Sequence, residues 1–195
     1  MHLTIDIIHR EHNALASVLN GLRSIVAGIR EGRLEADFVL LAAMLVYIAE
    51  VPEKVHHPKE DGFLFSKLRE RAASAGALLD ALEEEHRQGY RLTRELEHSL
   101  IHYLGMGAAG FAQFDETLAR YLDFSWQHIN REENELMPIA LRELKAEDWA
   151  EIDRAFSENH DPCSGPEGEY AALFSKIVNL APSPVGVGPA GKTQG

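Results

Sequence analysis

Residues 55–65 read VHHPKEDGFLF, a segment in which two histidines, a proline and an acidic pair precede an apolar end. The flanking apolar residues Ile48, Leu64 and Leu68 recur at helical spacing, which predicts that the segment lies within a long helix. At about 100° per residue, His56 falls on the apolar stripe of this helix. Glu60 follows one turn later on the same face. An imidazole and a carboxylate on a buried face need a partner that compensates their burial.

Apolar periodicity predicts three further long helices around this one. The first ends at Gly32, and the second begins after Asp37, a typical N-cap residue. Ser74 is the expected cap of the third helix, and the glycine-rich segment LGMGAAG (104–110) separates the third helix from the fourth. Four long helices with short connections predict an up-down-up-down four-helix bundle of the all-α class.

The C-terminal part of the chain has a different composition. A short helix is expected near residues 148–157, and a single helical turn near residues 170–178. The final segment APSPVGVGPAGKTQG has the composition of a loose tail. We therefore divide the chain into a bundle domain, residues 1–160, and a partly flexible extension with a short C-terminal helix, residues 161–195.

Composition narrows the classes of function. A formal charge of −12 disfavours nucleic acid and anionic membrane surfaces as partners. The one cysteine, Cys163, excludes a disulfide framework and a cysteine-based metal site within the chain. The longest apolar run, residues 39–49, is too short to span a bilayer, and the N-terminus lacks a signal-peptide core. The sequence thus predicts a soluble cytoplasmic protein.

Each of the four long helices carries one histidine on its apolar stripe. These residues are His12, His56, His86 and His128. A single histidine in such a position is most often a hydrogen-bonded core residue, but four helices repeating the pattern favour a shared site. The intervals between successive histidines are long, short and long, as expected for four residues at one depth of an antiparallel bundle.

Two glutamates extend this pattern. Glu60 and Glu132 each follow an inward histidine by four residues, so both lie on inward faces. A buried carboxylate without a cation is costly, and no lysine or arginine lies on these stripes close to either glutamate. Imidazoles and carboxylates on inward faces of a bundle are a ligand set for iron, manganese or zinc.

A ferritin-like arrangement is a competing interpretation, because that fold uses Glu-x-x-His on two helices. Glu53 and Glu83 stand in the required position before His56 and His86. However, Ser125 occupies the corresponding position before His128, and the first helix offers His12 where a glutamate is needed. The repeated spacing here is His-x-x-x-Glu instead.

The segments HREHNAL, HHPKEDGFLF, LEEEHRQG and HINREENELMP, in this order, resemble the hemerythrin-like (HHE cation-binding) family over residues 5–142. The resemblance implies two iron ions bridged by Glu60, Glu132 and a solvent-derived oxygen. It also implies that one iron is held by His12 and His56, and the other by His86 and His128. Zinc and manganese remain alternative metals.

Tyr90 marks a departure from respiratory hemerythrins, which have a second histidine one turn after the third-helix ligand. Tyr90 occupies that position here, where it could ligate the metal, hydrogen-bond a bound oxygen species or fill space. The ligand set is more similar to that of bacterial di-iron proteins that repair iron centres under nitrosative and oxidative stress.

We therefore expect a protein that binds or senses oxygen, nitric oxide or peroxide, or that handles iron under stress. Two alternatives remain open at this point. One is an oxidoreductase that consumes peroxide or nitric oxide, and the other is a non-redox bundle that holds zinc or a single metal and binds a partner. A small diatomic ligand is the expected partner, and a homodimer is left open.

Overall fold

The computed structural model describes residues 2–158 and 169–188, which contain six helices. They are α1 (Leu3–Arg30), α2 (38–71), α3 (Gly76–Met106), α4 (108–143), α5 (Ala146–Glu158) and α6 (Glu169–Leu180). Within α2, α-helical segments Phe38–Val51, His57–Lys59 and Ser66–Arg71 alternate with π-helical turns at Pro52–His56 and Glu60–Phe65. Within α4, a π-helical turn at Glu132–Leu136 separates Ala108–Arg131 from Met137–Glu143. A short 3₁₀ turn, Ala73–Ala75, precedes α3.

Helices α1 to α4 form the predicted four-helix bundle. Each packs against its neighbours in sequence, and α4 returns to pack against α1. Helix α5 lies on α1, where Asp153 accepts hydrogen bonds from the backbone and hydroxyl groups of Thr4 at 2.8 and 2.6 Å. Helix α6 lies on α2, with Phe174 against the ring of Tyr47. The all-α class and the bundle are thus confirmed.

Most predicted helix ends agree with the structure. Gly32 adopts a φ of +69°, a left-handed conformation that ends α1, and the Asp37 carboxylate accepts from the backbone N–H groups of Val39 and Leu40 at 3.0 Å. The expected cap Ser74 is wrong, because it lies inside the 3₁₀ turn and α3 begins at Gly76 without a side-chain cap. Only Gly107 interrupts the glycine-rich segment 104–110, with a φ of +58°.

Within residues 169–188, the helix is longer than the sequence predicts. Helix α6 runs over twelve residues instead of a single turn, and its residue Ile177 is buried in the bundle core. Beyond it, the backbone N–H of Val187 donates to the carbonyl of Val178 at 2.9 Å, so the chain turns back on the helix. The predicted boundary at residue 160 lies outside the described residues.

Two separate apolar clusters fill the bundle. One contains residues such as Leu19, Met44 and Leu118, and the other contains Ile8, Leu68 and Leu79. Along each of the four long helices, the inward histidine lies between a stretch that joins one cluster and a stretch that joins the other. The polar layer therefore lies between two apolar layers that limit its contact with water.

Candidate metal centre

The structure brings all six predicted ligands into one buried layer. Potential ligand atoms of His12, His56, Glu60 and Glu132 lie within 4.8 Å of one another. A second group with the same spacing contains His86 and His128, together with His57. The six predicted residues are between 0% and 7% exposed. The histidine pairs of α1 and α2 and of α3 and α4 thus face each other across the bundle.

The two glutamates lie between these histidine pairs. Glu132 Oε2 is 3.1 Å from His12 Nε2, while its Oε1 is 3.3 Å from His128 Nε2 and 3.5 Å from His86 Nε2. Glu60 Oε2 is 3.4 Å from His56 Nε2 and 3.7 Å from His86 Nε2. Each carboxylate therefore reaches a histidine of both pairs, as a bridging ligand would.

A ring of four outer carboxylates surrounds the histidines. Each outer carboxylate is the sequence neighbour of a predicted ligand on its own helix. It accepts a hydrogen bond from the inward histidine of the next helix around the bundle. The pairs, by Nδ1–oxygen distance, are His56–Glu11 (2.6 Å), His86–Asp61 (2.9 Å), His128–Glu85 (3.0 Å) and His12–Glu133 (2.7 Å). These bonds link all four bundle helices at the level of the site.

The outer carboxylates determine which ring nitrogen of each histidine carries the proton. A carboxylate partner keeps the imidazole proton on Nδ1, so that the Nε2 lone pair points inward and is free to bind a metal. The Nε2 atoms of His12 and His56 are 3.0 Å apart, so a proton or a metal cation has to lie between their lone pairs. Two nitrogen ligands about 2.1 Å from one ion and at a right angle would have about this separation.

Several polar atoms of the layer have no hydrogen-bond partner. Both carboxylate oxygens of Glu60 and of Glu132 are buried and unsatisfied, as are Nε2 of His86 and of His128. Most buried polar groups in proteins are satisfied, so a cluster of orphaned ligand atoms calls for an ion. The residues present therefore fit a metal-cation site.

The charges of the layer support the same conclusion. Lys59 is only 2% exposed, but its ammonium group pairs with Glu11, and its Nζ lies 5.3 Å above the ring of Phe156. Arg131 likewise pairs with Glu85. These cations thus compensate two outer carboxylates and leave Glu60 and Glu132 for the metal.

Without metal, burial and neighbouring charges shift the pKa values of the residues in the layer. Burial opposes the charged form of His12, but Glu132 and Glu133 outweigh it and raise the pKa of His12 to about 10. Burial and the charge of Glu132 raise the pKa of Glu60 well above its usual range. Burial would also raise that of Glu132, yet His128 and the other imidazoles hold its pKa well below the usual value. When no cation is present, Glu60 thus tends to keep its proton, whereas the charged Glu132 favours the protonated form of His12.

Tyr90 does not join the inner layer. Its side chain is 52% exposed and lines a surface pocket of about 530 Å³, which also borders His57, His86 and Arg91. The pocket reaches the α2–α3 side of the site from solvent. Whether Tyr90 acts on a bound ligand stays a prediction, but its position favours a role at the entrance.

Because His56 lies on the apolar stripe, a regular helix at about 100° per residue would turn its neighbour His57 away from the core. In the structure, its side chain is 12% exposed and stacks on His86 with ring centroids 3.9 Å apart. The reason is the π-helical turn Pro52–His56, whose i to i+5 hydrogen bonding changes the angle per residue just before His57. Such turns are frequent at functional sites. The residues before His57, VPEKVH (51–56), carry no local pattern that distinguishes a π-helical turn from a regular helix.

Sequence reasoning also missed the roles of Glu11, Lys59 and Glu85. A signal was present, because Glu11 and Glu85 directly precede inward histidines, and Asp61 and Glu133 directly follow inward glutamates. His98 and His102, one turn apart on α3, are both exposed.

The comparison with protein families decides the assignment. A model of the hemerythrin HHE cation-binding domain matches residues 3–140. The chain belongs to this family. This hemerythrin-like domain covers the bundle and all six predicted ligands. The family indicates cation binding, and the two histidine and glutamate clusters fit a metal site. No curated protein sequence matches the chain significantly.

Among residues 2–158 and 169–188, no helix combines the length and the apolar character needed to cross a bilayer.

Proposed function

We propose that this hemerythrin-like protein holds two iron ions and uses them to bind or sense oxygen, nitric oxide or peroxide, or to handle iron under oxidative and nitrosative stress. The observation that carries the proposal is the ring of outer carboxylates, which leaves four Nε2 atoms facing two unsatisfied glutamates. Imidazoles and carboxylates are the donor types that bind non-haem iron in helical bundles.

Each side chain has a distinct role in this proposal. His12 and His56 would hold one ion, and His86 and His128 the other. Glu60 and Glu132 would bridge the two, since each approaches histidines of both pairs. The outer carboxylates orient the rings and increase their basicity as ligands.

The residues around the proposed iron pair would control the access of small ligands to it. An iron pair, when bound, would supply redox chemistry and a coordination position for oxygen, peroxide or nitric oxide. The two apolar clusters exclude water above and below the layer, while the pocket beside His86 and Tyr90 offers a side entrance. We propose that Tyr90 contacts ligands as they enter, because its hydroxyl-bearing ring forms part of the pocket wall.

Metal content tests the proposal directly. Metal-free protein is reconstituted with Fe²⁺ under anaerobic conditions, freed of excess metal by gel filtration and analysed for iron per chain. We expect two irons per chain, and a change in the absorption spectrum when oxygen or nitric oxide is added. The fourfold variant that replaces His12, His56, His86 and His128 by glutamine serves as the control and should bind none.

Other outcomes would favour the alternatives. If two irons bind but the spectrum does not respond to oxygen, peroxide or nitric oxide, ligand binding is contradicted. Iron handling is then the remaining function. Zinc in place of iron would overturn the redox proposal and favour a metal-stabilised interaction module. Repeated turnover of peroxide or nitric oxide with an added reductant would identify an oxidoreductase.

A further inference from the structure

The outer face of α2 is apolar, although it lies on the surface of the chain. Residues 38–49, FVLLAAMLVYIA, contain no charged side chain. Three of these residues are exposed and recur at helical spacing on one stripe, namely Val39 at 61%, Ala42, and Val46 at 45%. A helix that is apolar on all sides is normally buried, so this stripe predicts a neighbour that covers it.

Helix α1 shows the usual pattern of a bundle helix instead. The exposed positions along its middle turns are all polar, namely Asn13, Ser17, Asn20, Arg23 and Ser24. Both helices bury an inner apolar stripe in the same core cluster, so they differ in their outer faces. The outer stripe of α2 is therefore not explained by the packing of the bundle itself.

Neighbouring helices extend this apolar face. Leu104 of α3 and Leu173 of α6 line the same stretch of surface as the α2 stripe, with Lys176 beside them. Leu104 is exposed, and so is Ile101, about one helical turn before it on α3. A contiguous exposed apolar patch on a folded protein typically marks an interaction site.

We propose that a second copy of this chain covers the face, with α2 of each copy packed antiparallel on α2 of the other. The two-fold axis would pass between Ala42 and Ala43, at the centre of the stripe. Val39 and Val46 lie at equal separations on either side of this point, so Val39 of each copy would contact Val46 of the other. The small alanines at the centre allow the two helices to approach closely, and the antiparallel arrangement opposes their dipoles.

Charge also favours a second copy as the occupant. At a formal charge of −12, two copies repel each other over most of their surface, and a basic partner would be drawn to the carboxylates there. The α2 stripe has none; the nearest along the helix are Asp37, which caps it, and Glu50, which pairs with Lys54. Residues 159–168 and 189–195 contain no large apolar side chain that could cover the face instead.

Sedimentation velocity of the full chain, measured over a range of concentrations, tests the association. Ala42→Lys introduces a charge at the proposed centre, and Ala119→Lys makes the same change at an exposed alanine of α4 as the matched control. Circular dichroism and thermal unfolding check that both variants are folded. Val46→Lys provides a second variant if Ala42→Lys is not folded.

We expect the wild type and Ala119→Lys to form dimers of equal affinity. Ala42→Lys should associate at least about a hundredfold more weakly, because two like charges would face each other across the contact. Iron per chain should be the same in all three proteins. Ala42 precedes His56 by fourteen residues, or roughly 20 Å of helix, so the change does not reach the predicted ligands.

Cysteine cross-linking tests the antiparallel arrangement. Val39→Cys and Val46→Cys are each combined with Cys163→Ser, so that each chain carries one thiol. On oxidation, a mixture of the two chains should form a mixed disulfide in preference to disulfides between identical chains, because positions 39 and 46 would meet across the axis.

Three results would overturn the proposal. A wild-type chain that stays monomeric at all concentrations would leave the face to an apolar helix of a different protein. A dimer that Ala42→Lys does not weaken would place the contact on another face. Preferential disulfides between identical chains would contradict the antiparallel arrangement. None of these results depends on iron, so they are distinct from a failure of the proposed metal centre.

Discussion

Lys59 and Glu11 form a buried ion pair beside the metal-ligand layer. Both residues are at most 3% exposed, and the same carboxylate of Glu11 accepts a hydrogen bond from Nδ1 of His56 at 2.6 Å. The ammonium group thus compensates a carboxylate that orients a predicted ligand. The pair connects the stability of the bundle to the geometry of the centre.

Replacing Lys59 by Met should destabilise the protein even without metal. The change leaves Glu11 as a buried charge without its cation, which typically reduces the free energy of unfolding by about 3–5 kcal/mol. Urea unfolding of the metal-free protein measures the effect. The control Lys67→Met removes a partly exposed pair with Glu151 and should cost much less, because solvent screens exposed ion pairs. Equal losses in both variants would contradict the importance of burial.

The double variant Glu11→Gln/Lys59→Met should recover part of the lost stability. It removes both charges, so that no unpaired ion remains in the core. The glutamine oxygen can still accept from His56. A double variant that is less stable than Lys59→Met would show that the ion pair is not the main contribution of Lys59.

Glu132→Gln should abolish binding of two metal ions. Glu132 contacts His12, His86 and His128, so the loss of its charge affects both halves of the site. Iron per chain after anaerobic reconstitution is the measurement. Glu135→Gln, three residues later and with a 60% exposed side chain, is the control. Retention of two ions by Glu132→Gln would show that the bridging assignment is wrong.

Asp61→Ala should weaken metal binding without removing a ligand. Asp61 accepts from Nδ1 of His86 at 2.9 Å, and loss of such an outer partner typically reduces metal affinity about 10–100-fold. Competition with a chelator gives the affinity. Asp80→Ala, which removes an exposed partner of Arg69, should leave it unchanged. An unchanged affinity for Asp61→Ala would argue against the role of the outer ring.

Acid should remove the stabilisation that Asp148 provides at the start of α5. Arg71 donates two hydrogen bonds of 2.8 Å to this carboxylate, and the backbone N–H of Lys145 donates a third, which together lower the pKa of Asp148 to about 2. Because the folded-state pKa is lowered, the contribution is present above the unfolded-state value of 3.8 and is lost as the pH falls towards 2.

The variant Asp148→Asn tests this dependence in metal-free protein. At pH 6 we expect it to be about 1–2 kcal/mol less stable than the wild type, since charged hydrogen bonds are lost and Arg71 is partly exposed. The difference should shrink from pH 4 to pH 2 in urea unfolding. A difference that is constant over this range would contradict the assignment.

The inner ligands could be predicted from the sequence because regular helices place them reliably. His12, His86 and His128 lie on α-helical segments, where spacing of three and four residues identifies a face. His56 ends a π-helical turn, but it remained on the expected face. His57, one residue later, is not on the face that a regular helix predicts, since its position depends on the π-helical turn.

The outer ring could not be predicted in this way. The partner of each outer carboxylate lies on a neighbouring helix, so the pairing of Glu11 with His56 depends on how helices pack rather than on spacing within one helix. The burial of Lys59 has the same cause, since its surroundings include Phe156 of α5, far away in sequence. The sequence shows that charged residues adjoin the predicted ligands, but it does not show where their side chains point.

The four-helix bundle, the family and the six inward-facing residues could all be predicted, because each follows from local periodicity and ordered motifs. Three features emerge only in the folded chain: which carboxylate orients which histidine, the compensation of Glu11 by Lys59, and the position of His57 beside the layer. Those features depend on contacts between helices and on π-helical turns, which alter direction without a distinct local pattern. Packing therefore converts a set of candidate ligands into an oriented metal centre.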